Sequence, residues 1–184
     1  MKRWPSRQIK CFRVASSSSR YCLWAPWRFS YVSRSGVAED DERCVFCEEV
    51  TGLTPSPLTL HCGDRCLVIL NKYPYSNGHL MVVPRRHIGR LSEAVPDELA
   101  ELMALTQTAE MALAEAYAPQ GLNIGMNLGL SAGAGVVGHL HIHVVPRWNG
   151  DTNFMTVIAD TRVVPEEPAQ TVERLRPIFL RLMS

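Results

Sequence analysis

No apolar run in this 184-residue sequence approaches the roughly 20 residues that span a bilayer, so no membrane partner is expected. No internal repeat is present, which excludes a solenoid or fibrous array. Aromatic residues are sparse at 8% and charged residues reach only 20%, yet hydrophobic residues make up 46%. That balance excludes a disordered chain and gives one domain, with appendages, enough material for a core. Net charge is nearly absent, 19 Lys and Arg against 18 Asp and Glu. The near-zero sum hides an asymmetry. Residues 1–38 hold eight basic side chains and no acid, which leaves residues 39–184 with eleven basic and eighteen acidic, a net of −7. No nucleic-acid partner is expected, because the basic end carries no ordered recognition motif.

That basic end is rich in arginine, holds Ser16–Ser19 in a row and lacks a secretory apolar stretch. Residues 1–22 read as a disordered basic extension, an artefact of an upstream start, or an organelle transit peptide. The expected location is cytoplasmic, with organelle targeting left open. The remaining divisions are a lead-in over 23–43, the main domain over 44–164 and a helical tail over 165–184. The six cysteines do not resemble a disulfide framework: Cys44 and Cys47 form a C-x-x-C pair, and the others are scattered.

The local patterns predict strands at Cys66–Asn71 and His79–Pro84, joined through the turn-forming Tyr73–Gly78 with its Asn77-Gly78 pair. Apolar residues at Leu99, Leu102, Met103, Thr106, Ala109 and Leu113 predict a helix over Pro96–Tyr117, started by Pro96 and stopped by Pro119–Gly121. Further strands are expected at Leu122–Asn127 and His139–Pro146, and a C-terminal helix near Thr171–Met183, kinked or split at Pro177. Antiparallel hairpins with one long crossover helix make an α+β domain. Its open sheet edge points to a homodimer.

The chemistry concentrates in Gly138–Trp148. His139, His141 and His143 alternate with Leu140, Ile142 and Val144, so an extended backbone places the three imidazoles on one face. Clustered imidazoles repel once protonated, which makes stability alone a poor reason for them. Metal binding and nucleophilic catalysis both remain open at this spacing. The preceding loop, Asn127–Gly138, has glycines at 129, 133, 135 and 138, and its exposed backbone N–H groups suit an anion. Together the loop and histidines favour phosphate chemistry, in which an imidazole attacks phosphorus in line. Cys44 and Cys47 supply two soft ligands, and His87 is placed to be a third.

The run His139-Leu140-His141-Ile142-His143-Val144-Val145, followed by Pro146-Arg147, resembles the signature of the histidine triad superfamily. Leu70-Asn71-Lys72 and Asn77-Gly78-His79-Leu80-Met81-Val82-Val83-Pro84 are similar to the strand pair lining that superfamily's nucleotide pocket, and the likeness covers roughly Cys44–Met155. Leu23-Trp24-Ala25-Pro26-Trp27-Arg28, Pro146-Arg147-Trp148 and Gly150–Met155 look like the branch acting on diadenosine polyphosphates, which holds both phosphorylases and hydrolases.

The resemblance implies a five-stranded antiparallel sheet with a long crossover helix and a C-terminal helix. It implies that His141 is the nucleophile, forming a nucleotidyl-imidazole intermediate, with His139 and His143 orienting it and the phosphate oxygens. Asn71 would hold a ribose hydroxyl and His79 would lie beside base or ribose. Asn127 and the backbone of Gly133 and Gly135 would contact phosphate, and Trp148 and Phe154 would wall the second nucleoside. In zinc-bearing relatives the first triad histidine completes the metal set, here His139 with Cys44, Cys47 and His87. Magnesium could accompany a polyphosphate substrate, although the sequence offers it no dedicated carboxylate site. One departure stands out: where several members carry a hydroxyl or amide just before the triad, this chain has Ala134-Gly135-Val136. Hydrolysis and phosphorolysis therefore stay open, beside a nucleoside phosphoramidase, a nucleotidyl transferase and a non-catalytic zinc-stabilised nucleotide-binding module.

Overall fold

A computed structural model of the chain describes residues 44–51, 56–151 and 166–184. Strands β1 (Thr59–Cys62), β2 (Cys66–Leu70), β3 (Leu80–Pro84), β4 (Gly121–Gly125) and β5 (Ile142–Arg147) form one antiparallel sheet in the order β1-β2-β3-β5-β4. Among the described residues three α-helices accompany it: α1 (Val45–Thr51), α2 (Pro96–Tyr117) and α3 (Pro168–Leu182). The architecture is the expected α+β one. No helix among the described residues is long and apolar enough to cross a membrane.

Period-two alternation divides the sheet's side chains between two apolar layers. Cys66, Val68 and Leu70 of β2, Leu80 and Val82 of β3, and Ile142 and Val144 of β5 face α2, where Leu102, Leu105, Ala109 and Leu113 complete the main core. Each large aliphatic side chain buried there contributes roughly 1.5–3 kcal/mol. Leu67, Ile69, Met81 and Val83 face the other way and pack with Phe46 of α1. The sheet is therefore covered on one face by the long helix and on the other, in part, by the short one. α3 adds Val172, Leu175 and Phe179 to the main core and packs on α2 and β1.

α2 starts at Pro96 and stops before Ala118, which takes the left-handed conformation at φ 44°. At its first turn Glu98 accepts the N–H of Val95 at 2.9 Å and both prongs of Arg86 at 2.8 and 2.9 Å. These bonds hold the Glu98 carboxyl down to about 2. Met103, expected in the apolar stripe, is instead exposed; Leu105 and Ala112 take part in the buried face. Strands β1 and helix α1 had no counterpart in the sequence pattern.

The strand expected at His139–Pro146 begins at Ile142. Ahead of it the backbone bonds elsewhere: Leu140 N–H donates to Ile88 O at 2.6 Å, and the His139 carbonyl accepts from the ring of His141 at 2.8 Å. The ladder with β3 accordingly ends at Val82 and Ile142.

Candidate active site and metal centre

Ile142 and Val144 point into the α2 core, which leaves the alternate residues on the α1 side of the sheet. His141 and His143 meet there with ring centroids 4.7 Å apart and planes at 80°. His139 and His141 are almost fully buried, and His143 is partly exposed. The three histidines thus come together, although only His143 lies within a strand.

His141 has one ring nitrogen engaged, Nδ1 against the carbonyl oxygen of its neighbour His139 at 2.8 Å. A carbonyl can only accept, so Nδ1 carries the proton and Nε2 carries the lone pair. That tautomer is the one a nucleophilic imidazole needs. Burial holds the ring below the ordinary histidine value, which keeps the lone pair unprotonated near neutral pH.

His143 is set by a longer chain of donors. The Tyr75 N–H donates to His79 Nδ1 at 3.1 Å, and the Asn71 carboxamide nitrogen approaches the same atom at 3.3 Å. Asn71 Oδ1 meanwhile accepts from the Tyr73 N–H at 2.9 Å, which orients the carboxamide with its nitrogen toward His79. His79, fully buried, therefore holds its proton on Nε2, 3.0 Å from His143 Nδ1. His143 accepts at Nδ1 and bears its own proton on Nε2. Burial and then the charge of His141 bring His143 down to about 4, so it is a neutral donor at pH 7. The Tyr75 ring packs on His79 with centroids 4.8 Å apart and reaches His143 at 6.1 Å.

The second cluster joins α1 to the start of the triad. His139 donates Nε2–H to Pro84 O at 2.8 Å, which leaves the Nδ1 lone pair toward Cys44 Sγ at 3.2 Å and Cys47 Sγ at 3.6 Å. Cys47 Sγ lies 3.2 Å from His87 Nδ1. Among the described residues, Cys44, Cys47, His87 and His139 are a group able to hold a metal, their ligand atoms all within 4.8 Å of one another. Tetrahedral zinc with bonds of about 2.0–2.3 Å separates its ligand atoms by roughly 3.3–3.8 Å, close to the contacts found here. Burial, with the neighbouring Cys44, pushes the Cys47 thiol up; a divalent cation reverses that balance by deprotonating coordinated sulfur. Gly138 leaves room for this group, since a Cβ there would lie 3.3 Å from His87 Nε2.

The other expected site residues are placed less directly. Asn127 donates to Gly133 O at 3.3 Å within the glycine loop, where Gly129 and Gly133 both sit at φ +86°. Gly135 has open space where a Cβ would stand. Trp148 follows β5 and packs edge-on against Tyr117 at 6.5 Å. Phe154 lies outside the described residues. Two aromatic neighbours of the histidines escaped the sequence reading, Phe46 and Tyr75. The only signal for either was position, between the paired cysteines and within the Tyr73–Gly78 turn.

A profile of the HIT domain matches residues 59–150. An AP-4-A phosphorylase of Mycobacterium tuberculosis is 41% identical over 149 residues, covering 78% of this chain and 76% of that protein. The adenylylsulfatase HINT3 of Arabidopsis thaliana is 35% identical over 108 residues, 59% of this chain and 54% of its own. Among solved structures, a zinc-bound histidine triad family protein from Mycobacterium smegmatis superposes with a TM-score of 0.63 at 32% identity, covering 77% of this chain and 96% of that one. With the triad, its supporting histidine and the two-layered sheet in place, the chain belongs to the HIT family.

Proposed function

We propose that the protein cleaves dinucleoside polyphosphates through a covalent nucleotidyl-histidine intermediate on His141. The observation that carries this reading is the fixed tautomer of His141, Nδ1–H on the His139 carbonyl with Nε2 left as nucleophile. In the first step Nε2 forms a bond to the α-phosphorus, and the bond from that phosphorus to the bridging oxygen breaks. The departing nucleoside polyphosphate takes the electron pair, and the Nε2–H of His143 stabilises the charge that develops on oxygen. The ring of His141 becomes cationic, a state that the carbonyl of His139 favours by accepting its Nδ1–H. In the second step an acceptor attacks phosphorus from the opposite side and His141 leaves. His143 takes the donor role that the apolar Val136 cannot fill.

Inorganic phosphate is the acceptor in this reading, which the 41% identity to a protein named AP-4-A phosphorylase supports. Diadenosine tetraphosphate would then yield ATP in the first step and ADP in the second. Cys44, Cys47, His87 and His139 would hold a zinc ion, which would cross-link α1 to the start of the triad; the zinc-bound neighbour supports that ion. A homodimer belongs to the same reading, formed along the open edge of β4.

Incubation with diadenosine tetraphosphate, with and without inorganic phosphate, tests the proposal. ADP and ATP formed only with phosphate are expected. AMP and ATP formed without phosphate would instead make the enzyme a hydrolase. His141→Ala should fold and lose turnover; retained turnover in that variant would sink the intermediate.

A further inference from the structure

We infer that Phe46 is the positioning residue through which the Cys44, Cys47, His87 and His139 group holds the ring of His141. Phe46 stands between the two thiols in sequence, and it is the buried residue of α1, only 4% exposed. Its ring touches both ends of the connection. Its centroid is 5.4 Å from that of His139, edge-on, and 5.1 Å from that of His141, tilted by 48°.

The hydrogen bond to the His139 carbonyl fixes Nδ1 of His141 but permits the ring to rock about that contact. The packing of Phe46 and of His143, 4.7 Å away, limits that rocking and dries the ring. A helix of seven residues is too short to hold itself in place. α1 is tethered by the thiols at one side and by Phe46, seated among Leu67, Ile69, Met81 and Val83, at the other. Loosening the thiols therefore loosens the aromatic wedge beside the nucleophile. The effect on turnover rests on the nucleotidyl-histidine reading above, whereas the packing effect does not.

The test compares Phe46→Ala, Phe46→Leu, His87→Ala and the double variant Phe46→Ala/His87→Ala, each measured for zinc content, kcat and KM. The His141 Cε1–H resonance is followed with and without a chelator. Phe46→Ala should retain zinc and KM while kcat falls on the order of 10²-fold, the cost of a small misplacement of a reacting group. Phe46→Leu should recover most of that loss. In the His87→Ala background, Phe46→Ala should cost far less than it does alone. Chelation should shift the His141 resonance of the wild type and leave that of Phe46→Ala in place. Independent, multiplying losses in the double variant, or a His141 resonance indifferent to Phe46→Ala, would overturn the inference. Retained turnover in His141→Ala would overturn the nucleotidyl reading instead, and the resonance alone would then decide the role of Phe46.

Discussion

His79 donates its Nε2–H to Nδ1 of His143 across 3.0 Å, and two donors on the far side of the His79 ring leave it no other choice. A main-chain amide at Tyr75 thereby determines which nitrogen of a histidine 68 positions further along the sequence bears a proton. The expected outcome is an Nε2–H tautomer for His143 at pH 7, read from long-range proton–nitrogen correlations of the imidazoles. The His143 resonances should titrate near pH 4.

The same burial has a consequence for stability. His143 moves from an ordinary 6.5 in the unfolded chain to about 4 in the fold, so the unfolded chain binds the extra proton first. Stability is full above 6.5 and falls as the pH drops from there toward 4. His141 is lowered in the same direction by burial and steepens that loss. Urea midpoints measured between pH 7.5 and 4.5 should decline continuously; a flat profile across that window would contradict the burial of the triad.

The four side chains able to hold a metal come from Cys44 just ahead of α1, Cys47 within it, the segment after β3 and the segment before β5, so an ion there would tie three parts of the chain together. One zinc per chain is expected by elemental analysis. Taking the cross-link as comparable to a disulfide, about 2–4 kcal/mol, chelation or Cys44→Ser should lower Tm by roughly 5–15 °C for a chain of this size. An unchanged Tm after complete removal of zinc would leave the cluster without a structural role.

Gly78 has φ +72°, and a Cβ there would lie 2.8 Å from Leu113 Cδ2 and 3.0 Å from Tyr117 Cε2. Both the backbone conformation and the space exclude a side chain. Gly78→Ala should cost about 1–3 kcal/mol of stability. Because Gly78 precedes His79, the variant should also lower kcat under conditions where it remains folded. Equilibrium unfolding and turnover on the same sample separate the two effects.

Helix α2 was legible from end to end because proline punctuates both its limits and its apolar residues keep a helical period. Met103 was misplaced at the edge of the stripe, where periodicity alone cannot distinguish an inward from an outward neighbour. α1 left no periodic trace: one apolar side chain and two thiols hold it, and both kinds of tether act on partners distant in sequence. Strand β1 is four residues long and its pairing shifts register between Thr59 and His61, too little for a pattern to form. The alternation of His139, His141 and His143 anticipated that the three imidazoles share one place in the fold but overstated the strand, since ring and loop hydrogen bonds replace the ladder at its first half. Tyr75 and Phe46 were not legible, because what makes them part of the site is packing across the fold.

β4 is the edge of the sheet beyond β5, and its outer N–H and C=O groups have no partner strand among the described ones. Ile124 opposes Val144, whose side chain enters the main core, so it projects on the α2 side of the sheet, where it is 46% exposed. α2 also leaves Met103 and Met111 exposed, at 58% and 50%. An apolar edge strand of this kind invites pairing with a second copy, and a lysine on it blocks such pairing. The wild-type protein should sediment at twice the 20.6 kDa protomer mass, and Ile124→Lys should shift it toward the protomer. Circular dichroism should show the variant folded, because Ile124 contributes little to the core. A wild type that sediments as a protomer would remove β4 as the dimer edge.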